Sequence, residues 1–149
     1  MKKYIYFFII SIMLISCSNQ HNKLEISQFG IENENGEQGI LVSETGDIKI
    51  MNEAIGKITV AGKVFDKKNK VIASLDNKDH LMDAKDNILC KIDKDGNIDN
   101  GSGTLISWTK NGEWYIGNEK ANFKIRPNNP NLYRAASIVL FLYLEVSKK

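Results

Sequence analysis

From residue 38 onwards, short apolar runs alternate with short segments of turn-forming residues. The runs lie about ten residues apart, and apolar and polar side chains alternate within them, as in the run over 57–65. Trp114 and Ile116 share one face in the same way. The turn at Asn111-Gly112 is the clearest, since Asn-Gly readily adopts positive φ in a β-hairpin. The spacing predicts an antiparallel meander or a barrel-like bent sheet.

The last element has a different pattern. Asn129 and Pro130 form a typical helix start, and an almost uninterrupted apolar run follows over Leu132–Val146. Its length and cap favour a helix at about 130–146, with a strand as the alternative because of Ile138 and Val139. A helix that is apolar on every side must be buried on every side. We therefore expect the sheet to bend around it, which gives a mainly β (α+β) domain.

This arrangement resembles the tubby-like and scramblase-like barrels, in which antiparallel strands surround a hydrophobic C-terminal helix. The strand series over 38–126 and the apolar segment over 134–145 carry the resemblance. The chain is shorter than those domains usually are, so an open, bent sheet packed on one helix is the broader expectation.

The N-terminal segment has the features of an export signal. Lys2 and Lys3 precede an apolar run that is too short to cross a bilayer, and Leu14-Ile15-Ser16-Cys17 follows. These four residues resemble the lipobox of bacterial lipoproteins, which implies lipidation of Cys17; an ordinary signal peptide with an incidental Cys is the alternative. The predicted organisation is a signal peptide at 1–16, lipidated Cys17 and a polar tether at 17–37, and one β-rich domain at 38–149. Within 17–37, residues 25–31 are a candidate first edge strand.

Charge narrows the range of partners. The chain has 20 basic and 18 acidic residues, and removal of Lys2 and Lys3 with the signal peptide leaves it formally neutral. Neither nucleic acid nor a polybasic contact with anionic lipid is then expected, and the membrane is bound through the lipids on Cys17. Ser18 and Asn19 follow Cys17, and neither is the Asp that would resemble an inner-membrane retention signal. The expected location is the bacterial cell envelope, with the outer membrane favoured over the inner one.

Few residues suggest a reactive or metal-binding site. Ile88, Cys90 and Ile92 share one face of an alternating stretch, which favours a buried core Cys over a reactive thiol. Asp93-Lys94-Asp95-Gly96 looks like a calcium loop, but Lys91 and Ser102 stand at two ligand positions, so a plain turn is favoured.

The remaining candidates have structural interpretations. Trp108, Trp114 and Tyr115 indicate cross-strand packing, with a ligand-stacking platform as the alternative. Arg126 and Arg134 either pair with acids or hold an anionic group. The acids Asp76, Asp79, Asp83 and Asp86 are typical of solvated loops.

No catalytic or metal-binding arrangement emerges, and no cofactor or ligand-binding residue is predicted. The leading interpretation is a non-enzymatic envelope lipoprotein that binds an envelope protein or lipid, or serves as a structural module. The alternatives are a lipid-handling module whose C-terminal segment lines a cavity, and an inhibitor or immunity-type lipoprotein directed against a hydrolase.

Short segments rich in Asp, Lys and Gly or Asn recur at 64–71, 82–88 and 92–98, and we interpret them as repeated hairpin turns rather than as a sequence repeat.

Overall fold

The computed structural model describes residues 23–146, with side chains up to residue 144. The predicted signal peptide, the lipobox and Cys17 lie outside the described residues. The described part contains twelve strands, a 3-10 helix at Pro130–Leu132 and helix α1 at Tyr133–Val146. The strands are β1 (Phe29–Asn33), β2 (Gln38–Val42), β3 (Asp47–Ile50), β4 (Glu53–Ile58), β5 (Lys63–Asp66), β6 (Val71–Leu75), β7 (His80–Asp83), β8 (Ile88–Ile92), β9 (Ile98–Asp99), β10 (Leu105–Trp108), β11 (Glu113–Ile116) and β12 (Glu119–Arg126).

The strands form one closed antiparallel barrel. Each strand pairs with its neighbours in the chain, and β1 closes the barrel by pairing with β12, with Gly30 opposite Arg126. The predicted mainly β, antiparallel, barrel-like sheet with a C-terminal helix is confirmed. The sheet is closed rather than open because β1 supplies a twelfth strand. That strand lies within the segment expected to be tether, and it belongs to the barrel since Phe29 and Ile31 are buried in the core.

Helix α1 occupies the interior of the barrel. Every residue from Leu132 to Leu140 is buried, including Arg134 and Ser137, whereas the side chains from Phe141 to Leu144 are only partly buried. The first part of the helix is therefore enclosed on all sides, as its uniformly apolar sequence requires. No helix in residues 23–146 is both long enough and apolar enough to span a membrane.

The two ends of the barrel are distinct. We call the end where the chain passes from β12 into α1 the entry end. It carries the turns at 43–47, 59–63, 76–80, 93–97 and 109–113. The opposite end, the far end, carries the turns at 33–37, 51–52, 66–70, 83–87, 100–104 and 117–118. The run over 57–65, read from the sequence as one stretch, is divided by the turn at 59–63 because Gly62 adopts φ +75°.

The entry-end turns share one design. The fourth residue has positive φ in all five turns. In the turns that begin at Ser43, Thr59, Asp93 and Thr109, the carbonyl oxygen of the first residue accepts a hydrogen bond from the amide of the fourth. Buried residues precede successive turns at intervals of 16 or 17 residues: Val42, Ile58, Leu75, Ile92 and Trp108. The barrel is thus built from repeated two-strand units. Of the turn segments that recur in the sequence, 92–98 contains an entry-end turn, whereas 64–71 and 82–88 contain far-end turns.

Candidate functional site

The entry end is closed by polar contacts between the helix and the turns. Nη2 of the buried Arg134 donates to the carboxylate of Asp79 at 2.5 Å and to the carbonyl oxygen of Ile92 at 3.0 Å. Asp79 has φ +70°, at a turn position where Gly stands in the other entry-end turns. An Asp tolerates this conformation better than most residues, and its carboxylate here neutralises a buried guanidinium. The pair holds the helix in place.

Hydrogen bonds of two further side chains, Ser137 and Tyr133, fix the start of the helix. The hydroxyl of Ser137 donates to the carbonyl oxygen of Gly96 at 2.5 Å and accepts from the indole Nε1 of Trp108 at 2.8 Å. The hydroxyl of Tyr133 lies 2.6 Å from Oδ1 of Asn128 and 3.0 Å from the carbonyl oxygen of Thr109. Burial raises the pKa of Tyr133, so this hydroxyl remains a neutral donor. These groups serve the fold, and their hydrogen bonds leave none of them poised as a nucleophile.

The cysteine and the tryptophans predicted from the sequence lie in the core. Cys90 is buried at 3% exposure, as expected. Trp108 and Trp114 lie directly opposite one another on β10 and β11, with ring centroids 6.0 Å apart, which confirms cross-strand packing. Tyr115 is on the other face and is only partly buried. A ligand cannot stack on the two tryptophans without displacing core residues.

The charged candidates take part in turns and ion pairs. Oδ1 of Asp93 accepts from the amides of Asp95 and Asn97, so the loop that resembles a calcium site is a plain turn. Arg126 pairs with Glu32 at 3.4 Å on the surface, and Arg134 pairs with Asp79, so both arginines have acidic partners.

The four clustered acids are divided between the two ends of β7. Asp76 and Asp79 lie in the turn before β7, and Asp83 and Asp86 lie at the turn after it. Within residues 23–146, no three His, Cys, Asp or Glu side chains are grouped so that they could hold a metal ion.

An apolar cavity of about 560 Å³ lies between the end of helix α1 and strands β3 to β6. Its inner wall includes the buried residues Ile48, Val64 and Val139, and Met51 at its outer edge is 75% exposed. The cavity therefore runs from the barrel core to solvent at the far end. Its volume lies within the range of small-molecule sites, about 300–1,000 Å³.

Local irregularities of the wall shape this cavity. Register shifts between Ile48 and Lys49 and between Val64 and Phe65 place extra residues in β4 and β6. Gly56 lies so close to β5 that a Cβ would overlap the carbonyl oxygen of Phe65. A residue without a side chain is therefore required where β4 and β5 approach at the cavity wall.

Apolar side chains also surround the far end. Among residues 23–144, seven large apolar residues are clearly exposed, and six of them lie in or near far-end turns: Met51, Ile55, Ile72, Ile88, Leu105 and Ile116. We call these six residues the apolar rim. The seventh, Val60, is in the entry-end turn at 59–63, where its carbonyl oxygen accepts from the amide of Leu24. Exposed apolar surface is thus concentrated at the end where the cavity opens, which is typical of a binding surface.

The strand side of the cavity was not predicted from the sequence, and the gap there depends on the two register shifts. The helix side, formed by Val139, Leu142 and Tyr143, belongs to the C-terminal segment that one alternative interpretation placed along a cavity. Met51 was the available signal of an opening, since it is an apolar residue in a turn between two strands.

No protein-family model matches the sequence, and no curated protein or solved structure shows significant similarity to it.

Proposed function

We propose that this protein is a non-enzymatic cell-envelope lipoprotein that holds an apolar chain in the cavity at the far end of its barrel. The observation that carries the proposal is the cavity of about 560 Å³, lined by aliphatic and aromatic side chains with Glu53 as its charged residue. The entry end is closed by the contacts of Arg134, Ser137 and Tyr133. An apolar ligand would therefore enter past Met51, Ile55 and Ile72, the residues of the apolar rim that line the cavity.

The apolar lining of the cavity suits an alkyl or acyl chain. Three helix residues, Val139, Leu142 and Tyr143, form one side, and four strands form the other. Burial of each CH₂ contributes about 0.8 kcal/mol, which corresponds to about fourfold in affinity. Binding that strengthens by about this factor with each added methylene would show that the chain itself is buried.

A titration with matched alkyl ligands tests the cavity. The chain from Ser18 to Lys149 contains every described residue and lacks Cys17, so it can be studied without detergent. Ile72→Trp places a larger ring at the cavity wall, and Ile88→Trp makes the same change on the apolar rim outside the cavity lining. We expect Ile72→Trp to weaken binding about tenfold or more and Ile88→Trp to leave it unchanged.

Two results would contradict the proposed ligand. One is no binding of any alkyl chain by the parent protein, and the other is an equal loss in both Trp variants. Urea titration of each variant checks that the fold is intact.

The anchor is tested separately. Cys17→Ser removes the thiol that accepts the lipid, so we expect the expressed protein to move from the detergent phase to the aqueous phase. Unchanged partitioning would refute the lipoprotein assignment, whatever the cavity binds.

A further inference from the structure

One turn beside the cavity differs in charge from its neighbours. The turn at 66–70 connects β5 to β6 and follows Phe65, which lines the cavity; Ile72, another lining residue, comes shortly after it. The turn holds one acid, Asp66, and three exposed lysines, Lys67, Lys68 and Lys70. Its formal charge is therefore +2.

The acid of this turn is occupied within the turn. Oδ1 of Asp66 accepts from the backbone amides of Lys68 at 2.8 Å and Lys70 at 3.0 Å. The backbone hydrogen bond from Lys70 lowers the pKa of Asp66, and the bond from Lys68 has a smaller effect in the same direction. Burial has the opposite effect and does not outweigh them. None of the ion pairs found within the described part of the chain includes Lys67, Lys68 or Lys70. The three ammonium groups are accordingly available to a ligand at the cavity mouth.

The other turns at the far end do not carry a positive charge. The turn at 33–37 contains two Glu, and the turn at 83–87 contains two Asp and one Lys. Glu53, the first residue of β4, is the charged residue of the cavity lining. The mouth therefore has a carboxylate in its lining and three lysines in the turn at 66–70.

We infer that the ligand is a single-chain amphiphile with an anionic headgroup, whose chain lies in the cavity and whose head contacts Lys67, Lys68 and Lys70. This inference rests on the proposed function, since the cavity must first bind a chain. A carboxylate and a phosphate share the required charge, and each accepts hydrogen bonds from ammonium groups. Glu53 in the lining repels an anionic head, which favours contact of the head with the lysines of the turn at 66–70.

The test compares four ligands that share a dodecyl chain and differ in the head: dodecanoate, dodecyl phosphate, neutral dodecyl maltoside and dodecyltrimethylammonium, each below its micellar concentration. We expect the two anions to bind best and the cation worst. The difference between anionic and neutral ligands should be about tenfold at low salt and smaller at high salt, because the lysines are exposed. Dodecanoate against dodecyl phosphate then shows which anion is preferred.

Matched variants assign the effect to the turn. Replacement of Lys67, Lys68 and Lys70 together by Gln should abolish the preference for anions and leave dodecyl maltoside binding unchanged. Lys85→Gln, in the neighbouring far-end turn, should change neither.

The binding results distinguish failure of the headgroup inference from failure of the proposed function. Equal binding of anionic and neutral ligands by the parent, or a preference that survives the triple change, would overturn the headgroup inference and leave the proposed function standing. No binding of any of the four ligands would overturn the proposed function as well.

Discussion

Gly96→Ala tests whether the buried helix is held against the entry-end turns as the structure shows. Gly96 has φ +80°, and a Cβ there would lie 2.7 Å from both the carbonyl carbon and the carbonyl oxygen of Tyr133. The obstructing atoms are backbone atoms at the start of α1, which cannot rotate away as a flexible side chain would. Gly36→Ala is a matched control, since Gly36 has φ +76° and a Cβ added there would meet nothing within 4 Å.

The two changes differ in steric cost alone. A left-handed conformation costs Ala about 1–2 kcal/mol, and the lower entropy of the unfolded chain offsets about 0.4–1 kcal/mol of that. Gly36→Ala should therefore cost about 1 kcal/mol. At Gly96 the overlap with the helix adds about 1–3 kcal/mol, as for other overpacked interiors. We expect a total near 2–4 kcal/mol, a large part of the roughly 5–15 kcal/mol available to a domain of this size.

Urea titration of the chain from Ser18, followed by tryptophan fluorescence, measures both variants under the same conditions. Trp108 and Trp114 lie beside the helix and should report its loss. Equal destabilisation by the two substitutions would mean that the helix is not seated on the turn at 93–97, and it would refute the packing described for the entry end.

Three further predictions concern the core and the turns. Leu140 is fully buried, so Leu140→Ala should cost about 2–5 kcal/mol, whereas the same change at the partly buried Leu144 should cost less in a parallel urea titration. A thiol reagent should label Cys90 far more slowly in the native chain than in urea, and equal rates would show that it is exposed. Hydrogen bonds from Asn87 lower the pKa of Asp83, and those of Lys70 and Lys68 lower that of Asp66, so both groups bind protons more weakly when folded. Their stabilisation is present above the ordinary carboxyl pKa, about 4, and is lost as the pH falls through the lower folded values; urea midpoints of Asp83→Asn should therefore vary less with acid pH than those of the parent.

The architecture could be predicted because it depends on local pattern. The alternation of apolar and polar residues identified the sheet, and the uniformly apolar run after Pro130 identified a helix that had to be enclosed. Asn129 acts as the predicted cap, since its side chain accepts from the amide of Asn131, although it caps the 3-10 helix that precedes α1.

Other features depend on properties that the pattern does not express. Closure requires β1, whose two core residues lie in a polar stretch that resembles a tether. The repeat was hidden because positive φ is supplied by Gly in some turns and by Asn69, Asp79 or Asp86 in others. The cavity arises from register shifts between paired strands, and the sequence of one strand does not show where it gains an extra residue relative to its partner.

The enclosed position of α1 also determines the order in which this molecule can be completed. Each hairpin joins strands that are adjacent in the chain, so hairpins can form early and independently. The pairing of β1 with β12 is the long-range exception, and α1 follows β12 in the chain. A finished barrel offers no path for a side-on entry of the helix, so the wall must wrap around α1 before its two edge strands meet. We therefore expect α1, which is synthesised after all twelve strands, to control closure. A chain truncated before residue 130 should remain an open sheet with its apolar face exposed to aggregation.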